Sequence, residues 1–296
     1  MHRYLVLALL LVLVRPAPAG AWGFEAHRFV MDRAIALLPD GLRPIFEKHR
    51  ALAVERAIDP DTWRSAGFDE ESPNHFLDID WSGYGKYPFA GLPRDYTAAV
   101  AKFGRERVDE NGTVPWRAEE YFGNLRRAFE SYNRRGAFGS FDIVFFAAAL
   151  GHYVSDAHVP FHAVENYDGQ LSNQHGIHAR FEAILFERYR DRLTIAPRPV
   201  AAIVKPRDFL FDVIIEGSQL VAPILQSDLS ALGSRDVYDD EYYEAFFRAN
   251  RPVMERRLNE SIAAVAAVIA GAWEAAGKPA LPLNPPATPQ RKRRPA

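Results

Sequence analysis

Apolar residues in this chain recur every third or fourth position and almost nowhere in strict alternation, a pattern that helices can bury and strands cannot. His27 to Leu38 (HRFVMDRAIALL) sets Val30, Ala34, Ile35 and Leu38 on one face, and Asp40-Gly41 follows as a stop. Runs of the same period extend from Tyr96 to Phe103, Ala118 to Tyr132, Phe141 to Val154, His178 to Tyr189, Asp208 to Leu220, Glu241 to Ala249 and Arg256 to Ala276. The one extended candidate, Thr194 to Val204, is interrupted by Pro197 and Pro199, which cannot donate to a ladder. No repeat and no biased linker divides the chain, so the sequence predicts one all-α helical-bundle domain over residues 22–280. Within it Ser261 to Trp273 (SIAAVAAVIAGAW) is apolar on nearly every side, which predicts a helix through the middle of the bundle. It is too short to span a membrane.

The two ends read differently. Arg3 precedes the apolar run Leu5 to Val14, then Pro16, Pro18 and Ala19-Gly20-Ala21, the order of a secretory signal peptide. Cleavage after Ala21 is expected, with a secreted or periplasmic product. At the other end residues 281–296 include PPATPQRKRRPA, a proline-rich basic tail expected to be solvated and disordered. The chain has no cysteine, which excludes thiol chemistry, thiolate metal sites and a disulfide framework together. Its 36 basic residues, two of them in the leader, face 38 acidic ones, so broad adhesion to polyanions is not expected. No stable protein partner is implied, and a monomer is expected.

One short stretch concentrates chemistry. HYVSDAHVPFHA, from His152 to Ala163, holds three of the nine histidines and an aspartate directly after an apolar run. Helical spacing puts His152 and Asp156 on one face, and Pro160 ends the helix so that His162 follows in a turn. A second pair, His178 and Glu182 (HARFE), repeats the four-residue spacing. His and carboxylate one turn apart on two helices is how bundles build interior metal sites, although such pairs also serve as acid and base or as plain polar neighbours. His75 and Asp78 (HFLD) and Asp61 (DPDTWR) each stand beside a large aromatic. Cleavage after Ala21 would also expose a Trp22 α-amine five residues from His27, and an amine of pKa near 8 gives up its proton to a metal at little cost. With nitrogen and oxygen donors only, zinc is the first candidate ion.

Over nearly the whole length from Trp22 to the last long helix, these motifs resemble the zinc-dependent phospholipases C of bacteria and their relatives, the single-strand-specific zinc nucleases of fungi and plants. The resemblance implies an all-α fold with three zinc ions at the bottom of a cleft. It implies Trp22, His27 and Asp156 as ligands of one ion, and Asp61, His75, His152 and Asp156 of a second, with Asp156 bridging. His162, His178 and Glu182 would hold the third. The Trp22 to His27 spacing is similar to the nucleases, whereas Glu182 in GIHARFE is similar to the phospholipases. Phe76 and Asp78 are candidate substrate-binding residues, Phe76 as a base platform in a nuclease or as simple packing. His49, His158 and His175 match no ligand position.

The function these readings predict is an exported phosphodiester hydrolase of phospholipase C type that attacks phosphorus in line with a zinc-activated water. Asp61 and Asp156 are its catalytic candidates, Asp61 to orient the water. The alternatives are a single-strand-specific nuclease or 3′-nucleotidase on the same cluster, and a non-catalytic zinc-binding exported protein. A phospholipid headgroup or a single-stranded nucleic acid or nucleotide is the corresponding partner. The phospholipase reading expects an exposed apolar rim from Trp81 to Phe89, and Arg64, Lys86 and Arg180 are possible phosphate neighbours.

Overall fold

A computed structural model describes residues 23–132 and 139–283. The expected leader, Trp22 and residues 284–296 of the expected tail lie outside the described residues. Within them there is no strand, and the helices pack as one domain. In chain order these are α1 (Gly23–Leu37), α2 (Arg43–Lys48), α3 (Arg50–Arg56), α4 (Asp59–Ser65), α5 (Tyr96–Phe103), α6 (Arg105–Glu110), α7 (Val114–Tyr132) and α8 (Ser140–Asp156). There follow α9 (Ile177–Ala179), a π-turn (Arg180–Ile184), α10 (Leu185–Tyr189), α11 (Pro206–Leu232) and α12 (Asp240–Ala275). No helix among the described residues is long and apolar enough to cross a membrane.

Helix α8 is the axis of the bundle, packed on α7, α12, α3 and α1. Its sequence has no polar face to give to water, and every residue from 147 to 164 is buried. Small side chains make that enclosure possible. A Cβ on Gly151 would press into Met31 of α1 and Val265 of α12, so glycine lets both helices close on α8 one residue before His152. Helix α12 buries its apolar stretch from Ser261 to Ala272 against α8 and α7, the central position its composition predicts.

Two boundaries differ from the sequence reading. The runs expected at 241–249 and 256–276 are one helix that continues through Pro252, as α11 continues through Pro223. Thr194 to Val204 is not helical, as expected, but it joins no ladder and lies along α12. Its amides are held by side chains and one carbonyl: Thr194 N–H donates to Glu255 (2.7 Å), Ala196 N–H to Asn259 (2.7 Å) and Ile203 N–H to the Ala267 carbonyl (2.9 Å). The start of the expected tail is also ordered against the domain. Leu281 packs on the core, the Pro282 carbonyl accepts from Tyr132 Oη at 2.8 Å, and the Leu283 carbonyl accepts from Lys48.

Candidate metal centre

The last turn of α8 carries His152 and Asp156 on one face, with Nε2 of the first 3.2 Å from Oδ2 of the second. Three other elements bring polar groups to the same carboxylate. From α1, His27 Nε2 lies 3.2 Å from Asp156 Oδ1, and its ring stacks on that of His152 with centroids 4.0 Å apart. From the 3-10 turn Asp69–His75, His75 Nδ1 lies 2.9 Å from Asp156 Oδ2 and 3.1 Å from His152 Nε2. From the first turn of α4, Asp61 sits between the two, with Oδ2 3.9 Å from His27 Nε2 and Oδ1 3.7 Å from His75 Nδ1. The two oxygens of Asp156 therefore face different partners: Oδ1 faces His27, and Oδ2 faces His75 and His152.

A further group adjoins this one. His178 from α9 places Nε2 3.0 Å from Glu182 Oε2, and His162 from the turn Pro160–Ala163 places Nε2 3.8 Å from the same oxygen. Glu182 lies in the π-turn, a rare wide turn that often marks functional positions. His162 Nδ1 is 4.0 Å from Asp156 Oδ1, so the groups are contiguous. All eight residues are buried, and the most accessible side chain is that of His178, at 11%. The open side of the cluster is therefore at His178, next to the half-exposed ring of Tyr167.

Three sets of donors lie close enough to surround an ion: His27 with His152 and Asp156, Asp61 with His75 and His152, and His162 with His178 and Glu182. In each set the ligand atoms all lie within 4.8 Å of one another. Bonds of about 2.1 Å to a tetrahedral ion put its ligands about 3.4 Å apart, and the separations above bracket that value. His27 Nε2, Asp61 Oδ2, Asp156 Oδ1 and His178 Nε2 are buried without a hydrogen-bond partner, despite neighbours this near. Lone pairs facing a common point are costly when nothing occupies it, which is the geometry a cation relieves.

The ring orientations fit the same use. His152 Nδ1–H donates to the Ala57 carbonyl (2.8 Å) and His162 Nδ1–H to the His75 carbonyl (2.6 Å). His27 Nδ1–H donates to Ser155 Oγ at 3.1 Å, whose own proton goes to α8 carbonyls. Each of these donations turns Nε2 toward the cluster, as the nitrogen that would meet an ion. His75 is turned the other way, with Nδ1 inward and Nε2 3.9 Å from Glu71, a buried carboxylate that Tyr153 and Arg117 hold.

Protonation follows from burial and neighbours. Burial pushes His162 and His178 down to about 4. Burial and the adjacent His152 lower His27. Burial acts to lower His152 too, but Asp156 and Asp61 prevail and raise it to about 9. Burial acts to raise Asp156, yet His152, His162 and His27 hold it well below the usual carboxylate range. Without an ion the centre is thus an Asp156 carboxylate with one imidazolium, and the remaining rings whose shift is resolved are neutral and ready to ligate.

The structure brings together His27, Asp61, His75, His152, Asp156, His162, His178 and Glu182. Trp22 lies outside the described residues; its neighbour Gly23 packs against Ala183, one residue past Glu182. Phe76 and Asp78 are not part of the convergence. The Phe76 ring rests on Gly112, and the Asp78 carboxyl is pushed up to about 8 by burial and by Asp80 and Glu165. The expected apolar rim is partly packed inward as well: Tyr84 and Phe89 are buried and Trp81 meets Tyr84 edge-on, which leaves Tyr87 and Pro88 exposed.

Of the three possible phosphate neighbours, Arg64 alone belongs to the site. Its Nη2 donates to Asp61 Oδ1 at 3.1 Å and its charge acts on His178. The three-residue spacing from Asp61 on α4 is a signal the sequence carried. Arg180 points away from the cluster, and Lys86 is exposed in the loop after Trp81. Glu71, four residues before His75, was missed, although its spacing was also readable. A cavity of about 940 Å³ bordered by Ala196, Val200, Ile203, Phe209, Val213 and Arg257 contains none of the eight. Compared with protein-family models and with curated proteins, the chain matches none.

Proposed function

We propose that the chain is an exported zinc-dependent phosphodiester hydrolase of phospholipase C type. The observation that carries this reading is Asp156, a fully buried carboxylate with Oδ1 3.2 Å from His27 and Oδ2 2.9 Å from His75, members of two adjacent donor sets that have His152 in common, with a third set in contact. A purely structural ion needs one closed set of four ligands, and contiguous sets around a shared carboxylate are the arrangement of multinuclear hydrolytic centres. The absence of cysteine and the mixture of imidazole and carboxylate favour zinc among divalent ions. Zinc held there supplies Lewis acidity and a water acidic enough to ionise near neutral pH.

The protein's own residues divide the remaining work. Asp61, with one oxygen held by Arg64 and the other unpartnered, orients the attacking water for in-line approach to phosphorus. Arg64 stands where a non-bridging phosphate oxygen would need a cation. Tyr167 flanks His178, and the charge of Asp168 acts on that ring, which suits a headgroup carrying a quaternary amine beside its phosphate. The same exposed Tyr167 ring supports a second reading, a single-strand-specific nuclease, because a base stacks on such a face equally well.

Product release from phosphatidylcholine vesicles and from single-stranded DNA, each with and without chelator, tests the proposal on protein whose first residue has been verified. Chelator-sensitive cleavage of lipid alone is expected. Cleavage of DNA alone moves the second reading to the front, and a zinc-loaded protein that cuts neither sinks the enzyme.

A further inference from the structure

The residue between the two ligands of the third donor set faces away from it. On a helical turn, position 180 lies about 200° around the axis from 178, so when His178 and Glu182 face the cluster Arg180 points into the packing between α11 and α12. Arg180 is 4% exposed, and its guanidinium gives every edge to a partner. Nε donates to Tyr242 Oη (3.0 Å), Nη1 to the His175 carbonyl (2.7 Å), and Nη2 to the Gln174 carbonyl (3.2 Å) and Asp228 Oδ1 (3.1 Å). Asp228, itself 1% exposed, also accepts from Tyr242 Oη and, through Oδ2, from Gln174 Nε2 at 2.8 Å. The Tyr238 ring closes the arrangement, 4.0 Å from the guanidinium carbon.

A buried ion pair of this kind is poor evidence for stability, since two charges removed from water repay little more than their own desolvation. Its use is to admit one arrangement of the elements it joins. Here the elements are the loop entering α9, the π-turn, α11 and α12, and what they fix is the rotation of the turn that aims His178 and Glu182. We infer that Arg180 and Asp228, with Tyr242, form a positioning device for the third metal site, separate from the Asp156-centred pair. The inference rests on the proposed metal reading.

Zinc and cobalt binding by the full chain, followed by metal content per chain and by the visible spectrum of the cobalt form, tests it. In Asp228→Asn the ion assigned to His178 and Glu182 is expected to bind about 10 to 100-fold more weakly, the usual effect of removing a group that orients a ligand, while the other ions stay bound. His178→Ala identifies the spectrum that should be lost. Tyr242→Phe, which removes no charge, should shift the same ion's affinity in the same direction by less, and carries the test if Asp228→Asn does not fold. Ile262→Ala, a core truncation on α12 that lowers the melting temperature, should leave that affinity unchanged. Wild-type affinity for the third ion in Asp228→Asn and Tyr242→Phe, or equal weakening in Ile262→Ala, overturns the inference while leaving the metal centre in place. A wild-type chain that binds no metal overturns the metal reading, and this inference with it.

Discussion

Arg64 is the cation that bonds one of the carboxylates of the centre. It is 23% exposed, bonded to Asp61, and close enough to His178 to act on that ring. Under the proposed function Arg64→Ala should lower kcat/KM by about 100-fold, the scale of losing one donor to a developing phosphoryl charge, with metal content unchanged. If metal content falls in step with activity, the residue serves to hold Asp61 and contacts no substrate. Residues at this scale were legible where spacing converts directly to proximity. His152 with Asp156 and His178 with Glu182 are one helical turn apart, so their pairing needed no knowledge of the fold. Asp61 and His75 could be tied to them only through a family resemblance, because helix packing, which spacing does not encode, brings α4 and the 3-10 turn to α8. The partnership of Arg180 with Asp228 was not readable for the same reason: 48 positions separate them, and α11 had no visible link to the cluster.

At the scale of elements, long helices declared themselves and short ones did not. Helices α2, α3, α4 and α6 have six or seven residues, fewer than two turns, so a period of 3.6 cannot establish itself in them. The two runs of the sequence reading end at Ala249 and resume at Arg256, on either side of Pro252, and a proline removes one backbone bond and crowds the preceding turn. Over 36 residues the packing on both sides outweighs that local cost. The contact between α12 and the non-helical segment 194–204 was also hidden in the sequence, and the two backbones come very close at one position. A Cβ at Gly271 would overlap the Ile203 carbonyl oxygen, a backbone atom with no freedom to swing aside. Gly271→Ala should therefore destabilise the chain by about 1–3 kcal/mol despite alanine's better helix propensity. A shift of the urea midpoint without change in metal content is the expected readout, and an unchanged or raised midpoint would show that the segment lifts off at no cost.

For the whole molecule, the titrating groups set a stability optimum in the absence of metal. His162 and His178 have folded pKa values near 4 against an ordinary 6.5, so the unfolded chain binds more protons between those limits and stability is lost as pH falls from 6.5 to 4. His152 and Asp78 act in the opposite sense. Their folded values, about 9 and about 8, lie above the ordinary ones, so the folded chain holds more protons and stability declines as pH rises toward 9. Melting temperatures of the metal-free protein should peak near pH 6.5, and Asp78→Asn should flatten the decline up to pH 8. A monotonic rise through pH 9 would contradict both assignments. Metal loading should release a proton at neutral pH, because His152 must give one up to become a ligand. The eight converging residues come from α1, α4, α8, α9 and three turns spread across the first two thirds of the chain, and no cysteine ties any of these together. With ions bound, Asp156 becomes a cross-link between segments more than a hundred residues apart. A chelator would then do to this protein what a reductant does to one stapled by disulfides, and the strength of the staple would depend on the supply of metal rather than on the redox state of the surroundings.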